Sequence, residues 1–295
     1  RRYLDSRYTA KYKCLLSPSI FLYLLLKKRK LNNYMFEDEI KVYEETLNEY
    51  RNKFALRMDA VDLEEYNEIL FSAHSCAIEG NSFSVDDTRE LKERGLALVP
   101  KGKSLYEAFE ILGHFKAYEY LFGQKDAPLT EDLLKATHRI LTEHTLPFKC
   151  PGAVPGEYTD TDMCAGDTVF GDHEKLIARI PALLSSTQQT IDNGNVHPIV
   201  LAARFHGYFE YLHPFRDGNG RIGRLFSNFI LHKSGHPIVI IRNENKGEYI
   251  SALRCIRTES TDEHLIAFFF RTAIERMKQE LKDKKKGSTL KSFLF

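Results

Sequence analysis

The sequence predicts an all-α protein. Three observations carry this: ten segments repeat their apolar residues at the 3.6-residue helical period, strand signal is scarce, and strands do not alternate with helices. With 295 residues, 43% hydrophobic and 28% charged, the chain can bury its own core. That composition excludes a disordered, collagen-like or multi-span membrane protein.

Residues 1–34 form a basic arm, with nine Lys or Arg against one Asp. Within a total of +1, the remaining body therefore carries −7. A mildly acidic body offers no clustered basic face for phosphates, so no nucleic acid is expected as a partner. The arm contains an apolar run over 15–26, broken by Ser17, Pro18 and Ser19 and flanked by Lys11, Lys13 and residues 27–30. A span needs about 20 apolar residues, so stable membrane insertion is not expected. Three readings stay open: an export signal, a docked arm, or an upstream extension before a start at Met35. Five cysteines, Cys14, Cys76, Cys150, Cys164 and Cys255, are odd in number and lack C-x-x-C spacing. Free thiols and the absence of a small-residue cleavage site argue against export, and a cytoplasmic location is expected.

The body then reads as helix after helix. Phe36, Ile40, Tyr43, Leu47, Tyr50 and Phe54 keep one face apolar, as do Leu63, Tyr66, Ile69, Leu70 and Ala73, whose helix runs to a stop at Gly80 and Asn81. Ser84 and Asp87 form a capping signal for a short helix ending near Gly95. Further helices are expected over 105–122, 131–142, 174–191, 198–212, 222–233, 248–257 and 262–282. Only 238–241 and parts of 156–171 look extended. Residues 149–172 carry Pro151, Gly152, Pro155, Gly156, Gly166 and Gly171, which break any helix. They read as a functional loop or β-hairpin.

One run carries chemistry: His213-Pro-Phe-Arg-Asp217-Gly218-Asn219-Gly220-Arg221-Ile-Gly-Arg224. Glycines at 218 and 220 free the backbone to aim its N–H groups at one point, where a helix N-terminus adds positive potential. Arg221 and Arg224, placed on the first helical turn, oppose the macrodipole and so suggest a bound polyanion. Asp217 can face an anion only through a cation, which makes Mg²⁺ and a nucleoside triphosphate the economical pair. His213 is the residue there that can accept a proton near neutral pH. No serine or cysteine stands in a recognisable nucleophile setting. His232 and His236 flank Ser234-Gly235, so a helical zinc pair is not expected.

The run resembles the Fic signature, H-x-F-x-[D/E]-G-N-[G/K]-R-x-x-R, and the likeness extends over roughly residues 66 to 275. The resemblance implies a Fic-like helical bundle with a small β-hairpin flap, and an enzyme that moves AMP from ATP to a Ser, Thr or Tyr hydroxyl of a target protein. It implies that His213 deprotonates that hydroxyl, Asp217 holds Mg²⁺, and Gly218, Asn219 and Gly220 cradle phosphates. Arg221 would neutralise the leaving pyrophosphate, Arg224 would bind the γ-phosphate, and Tyr249 would line the adenine pocket. Ser75-Cys-Ala-Ile-Glu79-Gly80 matches the family's inhibitory motif. A Glu79 carboxylate paired bidentately with Arg224 would withhold that guanidinium from ATP. The segment from Gly156 to Gly171 falls where the family carries its target-docking flap, but Thr159 and Gly171-Asp172 replace the usual arginine and proline pair.

The implied organisation is the arm at 1–34, a helical region with the inhibitory helix at 35–130, and the catalytic core with C-terminal helices at 131–295. ATP as substrate, Mg²⁺, a target protein and, as an open option, a second copy of the chain are the expected partners. Two other functions stay open: removal of AMP from a modified target, with Glu79 orienting water, and non-catalytic ATP sensing.

Overall fold

The computed structural model describes residues 35–53, 60–165, 168–170 and 172–285; the basic arm, Cys14 and Gly171 lie outside them. Among the described residues, eleven α-helices run in order: α1 (Glu37–Lys53), α2 (Ala60–Ile78), α3 (Val85–Arg94), α4 (Leu105–Phe122), α5 (Glu131–Thr142), α6 (Leu146–Lys149), α7 (Leu176–Asn193), α8 (Pro198–Leu212), α9 (Asn219–Lys233), α10 (Lys246–Thr258) and α11 (Glu263–Lys285). Between α6 and α7 sits a hairpin of β1 (Cys164–Ala165) and β2 (Thr168–Val169), antiparallel with Cys164 opposite Val169. None of these helices is long and apolar enough to cross a membrane. Cys76, Cys150, Cys164 and Cys255 are all free thiols.

Local chemistry sets the helix starts. Ser84 accepts the Asp87 N–H (3.1 Å) while Asp87 accepts the Ser84 N–H (2.9 Å), and Ser104 and Glu107 repeat this box at α4. Packing then takes over. Helices α8 and α9 cross at the centre, and Ile199, Phe205, Phe209, Ile222, Phe226 and Phe229 are all shut away from solvent. A helix apolar on nearly every side is stable only when other helices surround it. Gly207 makes one such crossing close, because a Cβ there would lie 2.3 Å from the Ile256 side chain of α10.

Three local expectations are corrected. The phosphate-side helix begins at Asn219, not at 222. Gly218, left-handed at φ 81°, turns the chain directly into α9, so the glycine run is itself the first turn and Arg224 sits on the second. Residues 238–241 form no strand. Asn228 supplies what a neighbouring strand would, donating to the Val239 carbonyl (2.9 Å) and accepting its N–H (2.7 Å), while Arg276 donates to the Ile238 carbonyl (2.9 Å). The helix expected over 174–191 starts as a 3₁₀ turn, His173–Lys175, before α7.

Candidate active site

The site gathers where α8 ends and α9 begins, beneath the C-terminal end of α2. His213 closes α8 in a left-handed conformation (φ 50°), its N–H donating to the Phe209 carbonyl (2.9 Å). That reversal re-aims the imidazole, a conformation a bulky residue keeps only when its surroundings enforce it. Phe215 anchors the loop in the core. Asn219 closes it, accepting the Phe215 N–H (2.9 Å) and donating to the Phe215 carbonyl (2.7 Å). The Asn219 side chain therefore shapes the loop, and the backbone N–H groups of 219, 220 and 221 have no acceptor within α9, an arrangement chemically suited to an anion.

Sequence reading missed the residue that ties this loop to the flap. His138 on α5 accepts the Gly156 N–H at Nδ1 (2.9 Å), which places its proton on Nε2, and Nε2 donates to the Asp217 carbonyl (3.0 Å). Its ring stacks on Phe215 with centroids 3.7 Å apart. Burial drives its pKa down to about 4, so it stays neutral in this double role. Gly156, at φ 89°, suits glycine on two counts: a Cβ would meet the Lys135 carbonyl at 2.9 Å. Thr159 continues the seam, donating its N–H to the Pro214 carbonyl (2.8 Å).

Both motif arginines are buried and paired with carboxylates. Arg221, 1% exposed, donates to Asp217 (2.8 Å) and to the buried Glu110 (3.2 Å). Lys149 binds the other Asp217 oxygen at 2.9 Å. Burial pushes the Asp217 carboxyl up, but Arg221, Lys149 and the Gly218 N–H outweigh it and hold the group ionised below the usual range. Asp217 keeps 17% of its side chain exposed. One ionised carboxylate beside an anion cradle suits Mg²⁺, which is ordinarily held by one or two carboxylates together with substrate phosphates.

Arg224 is held from four directions. It donates to the Ser75 hydroxyl (3.1 Å), the Ser75 carbonyl (2.8 Å), Glu79 (2.7 Å) and the Tyr249 hydroxyl (3.3 Å). Only one Glu79 oxygen engages, a correction to the bidentate pair expected from sequence. The reason is the second claim on the guanidinium by Ser75. Burial raises the Glu79 carboxyl, yet Arg224 and then Arg221 hold it below its ordinary range. Glu79 also lies over the cradle, since a Cβ on Gly220 would meet its Oε1 at 2.2 Å. Tyr249 is 1% exposed; its hydroxyl accepts from Arg224 (3.3 Å) and is hydrogen-bonded to His206 Nε2 (2.6 Å).

The His213 pKa falls to about 4, through burial first and Arg257 second, against the opposing Glu210 backbone, Glu79 and Asp217. It is thus a neutral base at physiological pH. The flap lies across it: Phe170 stacks on the imidazole. Among the flap residues named from sequence, Gly156 is placed by the seam above, and Gly171 lies outside the described residues.

Residues 128–231 match the family model of the Fic/DOC family. The protein adenylyltransferase Fic of Nematostella vectensis is 37% identical over 187 residues, covering 61% of this chain and 41% of that protein. The protein of the same name from Culex quinquefasciatus is 34% identical over 188 residues, covering 61% and 35%. The chain thus spans about two fifths or less of the length of these relatives. Among solved structures, a Fic domain containing signaling protein from Bacteroides thetaiotaomicron superposes with TM-score 0.73 at 23% identity, covering 84% of this chain and 98% of that one. Fic-1 from C. elegans gives 0.70 at 23%, covering 86% and 75%. At that identity the likeness is one of fold.

Proposed function

We propose that this chain, which carries a Fic domain over residues 128–231, is a self-restrained protein adenylyltransferase that moves AMP from ATP to a hydroxyl side chain of a target protein. The observation that carries the reading is a neutral histidine set at the mouth of an anion cradle whose two flanking guanidiniums are buried. The curated relatives named protein adenylyltransferase support it.

Transfer of this kind asks for positioning and charge neutralisation more than for covalent catalysis. His213 takes the proton of the incoming hydroxyl as the oxygen attacks the α-phosphorus, and pyrophosphate leaves. The first-turn N–H groups of α9 receive phosphate oxygens, with Arg221 neutralising charge on the departing side. Asp217 would hold Mg²⁺, which would supply further charge neutralisation on the phosphates. Arg224 is the guanidinium for the γ-phosphate. With Glu79 on that guanidinium and above Gly220, ATP can enter only in a displaced position, which is the restraint.

A second reading is favoured by one observation, the placement of Glu79 directly over the cradle. There its carboxylate could orient a water that removes AMP from a modified target. Labelled ATP incubated with lysate and wild type, Glu79→Gly or Glu79→Gly/His213→Ala tests the first reading. Strong labelling by Glu79→Gly alone is expected. A folded, ATP-binding Glu79→Gly protein that labels nothing faster than wild type overturns it. Release of AMP from pre-modified protein by wild type, lost with Glu79, would then move the second reading ahead.

A further inference from the structure

Phe170, on the flap side of the site, makes a contact the transfer reaction does not by itself require. Its ring stacks on His213 with centroids 3.7 Å apart and planes 19° from parallel. The Arg257 guanidinium of α10 lies over the same ring, 4.5 Å from its centroid. Arg257 is in turn seated by the carbonyls of Glu210 (2.6 Å) and Tyr211 (3.2 Å). Those carbonyls belong to the last turn of α8, where a helix leaves acceptors unsatisfied. One cation therefore finishes the helix that ends in the base and also seats the aromatic residue covering that base.

The geometry separates a clamp from a plug. His213 Nδ1 is buried without a hydrogen-bond partner, whereas the side chain as a whole keeps 19% exposure. Of its two nitrogens, Nε2 is left to meet an incoming hydroxyl. Phe170 thus covers a face of the ring and spares its working edge.

We propose that Phe170 is a positioning residue for His213: held by Arg257, it fixes the plane of the imidazole and keeps one face dry, so the base is aligned only when the flap is docked. This rests on the transferase reading above. The charged groups facing His213 are Glu210 of its own helix, with Oε2 3.7 Å from Nδ1, Arg257 of α10, Glu79 from α2 and Asp217 of the loop. All four remain when Phe170 is truncated, so a change in titration reports the lost ring cover.

The test compares Phe170→Ala and Phe170→Tyr, each in the Glu79→Gly background, with Arg257→Met as a second way to loosen the clamp. Phe170→Ala is expected to lower turnover about tenfold with KM for ATP unchanged, since only the alignment of the base is lost. By NMR of the nucleotide-free protein with Phe170→Ala made in the wild-type chain, where Glu79 and the other three charged groups remain, the His213 titration, assigned with His213→Ala, should move from about 4 toward its ordinary value of 6.5. Phe170→Tyr should keep both properties, and Arg257→Met should lower turnover by less than Phe170→Ala; that variant is read by turnover alone, because removing the Arg257 charge itself raises the His213 pKa. The titration needs no activity: if it shifts while Glu79→Gly labels nothing, the clamp stands and the transferase reading falls. Unchanged titration and turnover in Phe170→Ala overturn the proposal, as does faster turnover, which would make Phe170 an obstruction.

Discussion

The two walls of the site are built by different means. The wall from Asp217 to Arg224 is largely buried, and each of its charged side chains has at least two partners: Asp217 and Arg221 pair with each other and with Lys149 of α6 and Glu110 of α4, and Arg224 is held by Ser75 of α2, Glu79 just past it and Tyr249 of α10. The facing wall is a hairpin of two-residue strands, its N-terminal lead-in attached through Gly156 and Thr159 and its base clasped by Asp162 and His173. Buried charges with several partners are costly to rearrange, whereas a short hairpin held at its ends is not. The motif run is thus fixed by the core, whereas the hairpin is held only near its base; on the proposed transferase reading, chemistry falls to the first and docking of the target to the second. Thr159 and Asp172, where the family pattern differs, lie on that second wall.

Substitutions on the first wall should therefore be the severe ones. His213→Ala, made in the Glu79→Gly background, is expected to lower turnover by about 10² to 10⁴ while calorimetric ATP affinity changes little. Retained turnover would remove His213 from the mechanism. Asp217→Asn and chelation by EDTA should each suppress transfer by about 10². Full activity in EDTA would leave Asp217 only its pairs with Arg221 and Lys149. Glu79→Gly should raise turnover by about tenfold or more, with a smaller change in ATP affinity. Arg224 keeps Ser75 and Tyr249, so the variant should stay folded. A fall in both melting temperature and labelling would show that Glu79 serves stability instead.

The second wall offers the mildest effect. His173 donates to Asp162, which raises the imidazole pKa through that hydrogen bond and lowers the Asp162 carboxyl in return. The clasp is fully present between the carboxylate range and the ordinary histidine pKa. It is lost as pH rises through the raised value. Hydrogen exchange in the flap should accordingly speed up between pH 6 and pH 8 beyond its intrinsic pH dependence, and Asp162→Asn should abolish that excess. An excess that survives the substitution would assign flap docking to contacts other than this pair.

Much of this was legible in the sequence where the signal is local. The Ser84 and Asp87 box, the bounds of α4, α5 and α8, and the glycine turn at 218–220 follow from capping, periodicity and backbone freedom. The Glu79 pair with Arg224 followed from two motifs that each mark a charged residue. What escaped reading joins distant positions without a local pattern: His138 to Asp217 across 79 residues, Glu110 to Arg221 across 111 and Lys149 to Asp217 across 68. Residues 238–241 misled because a β-branched run is satisfied here by the side chains of Asn228 and Arg276.

The neutral imidazoles of the site have a consequence for the whole fold. His138, His206 and His213 titrate at about 4, 3 and 4 when folded, below the ordinary value of 6.5, so the unfolded chain binds protons there that the folded one refuses. Glu210 works the other way, because burial lifts its carboxyl to about 7 and unfolding releases its proton. Three groups gaining and one losing leave a net uptake of about two protons on unfolding near pH 5. Stability from the three imidazoles is complete above the ordinary histidine pKa and declines as pH falls from 6.5 toward 4, while Glu210, whose contribution is lost as pH rises toward 7, offsets part of that decline. The urea midpoint should therefore drop across that interval, and His206→Gln should flatten the drop without touching the base. Keeping His213 neutral near pH 7 thus lowers the stability of the fold in acid.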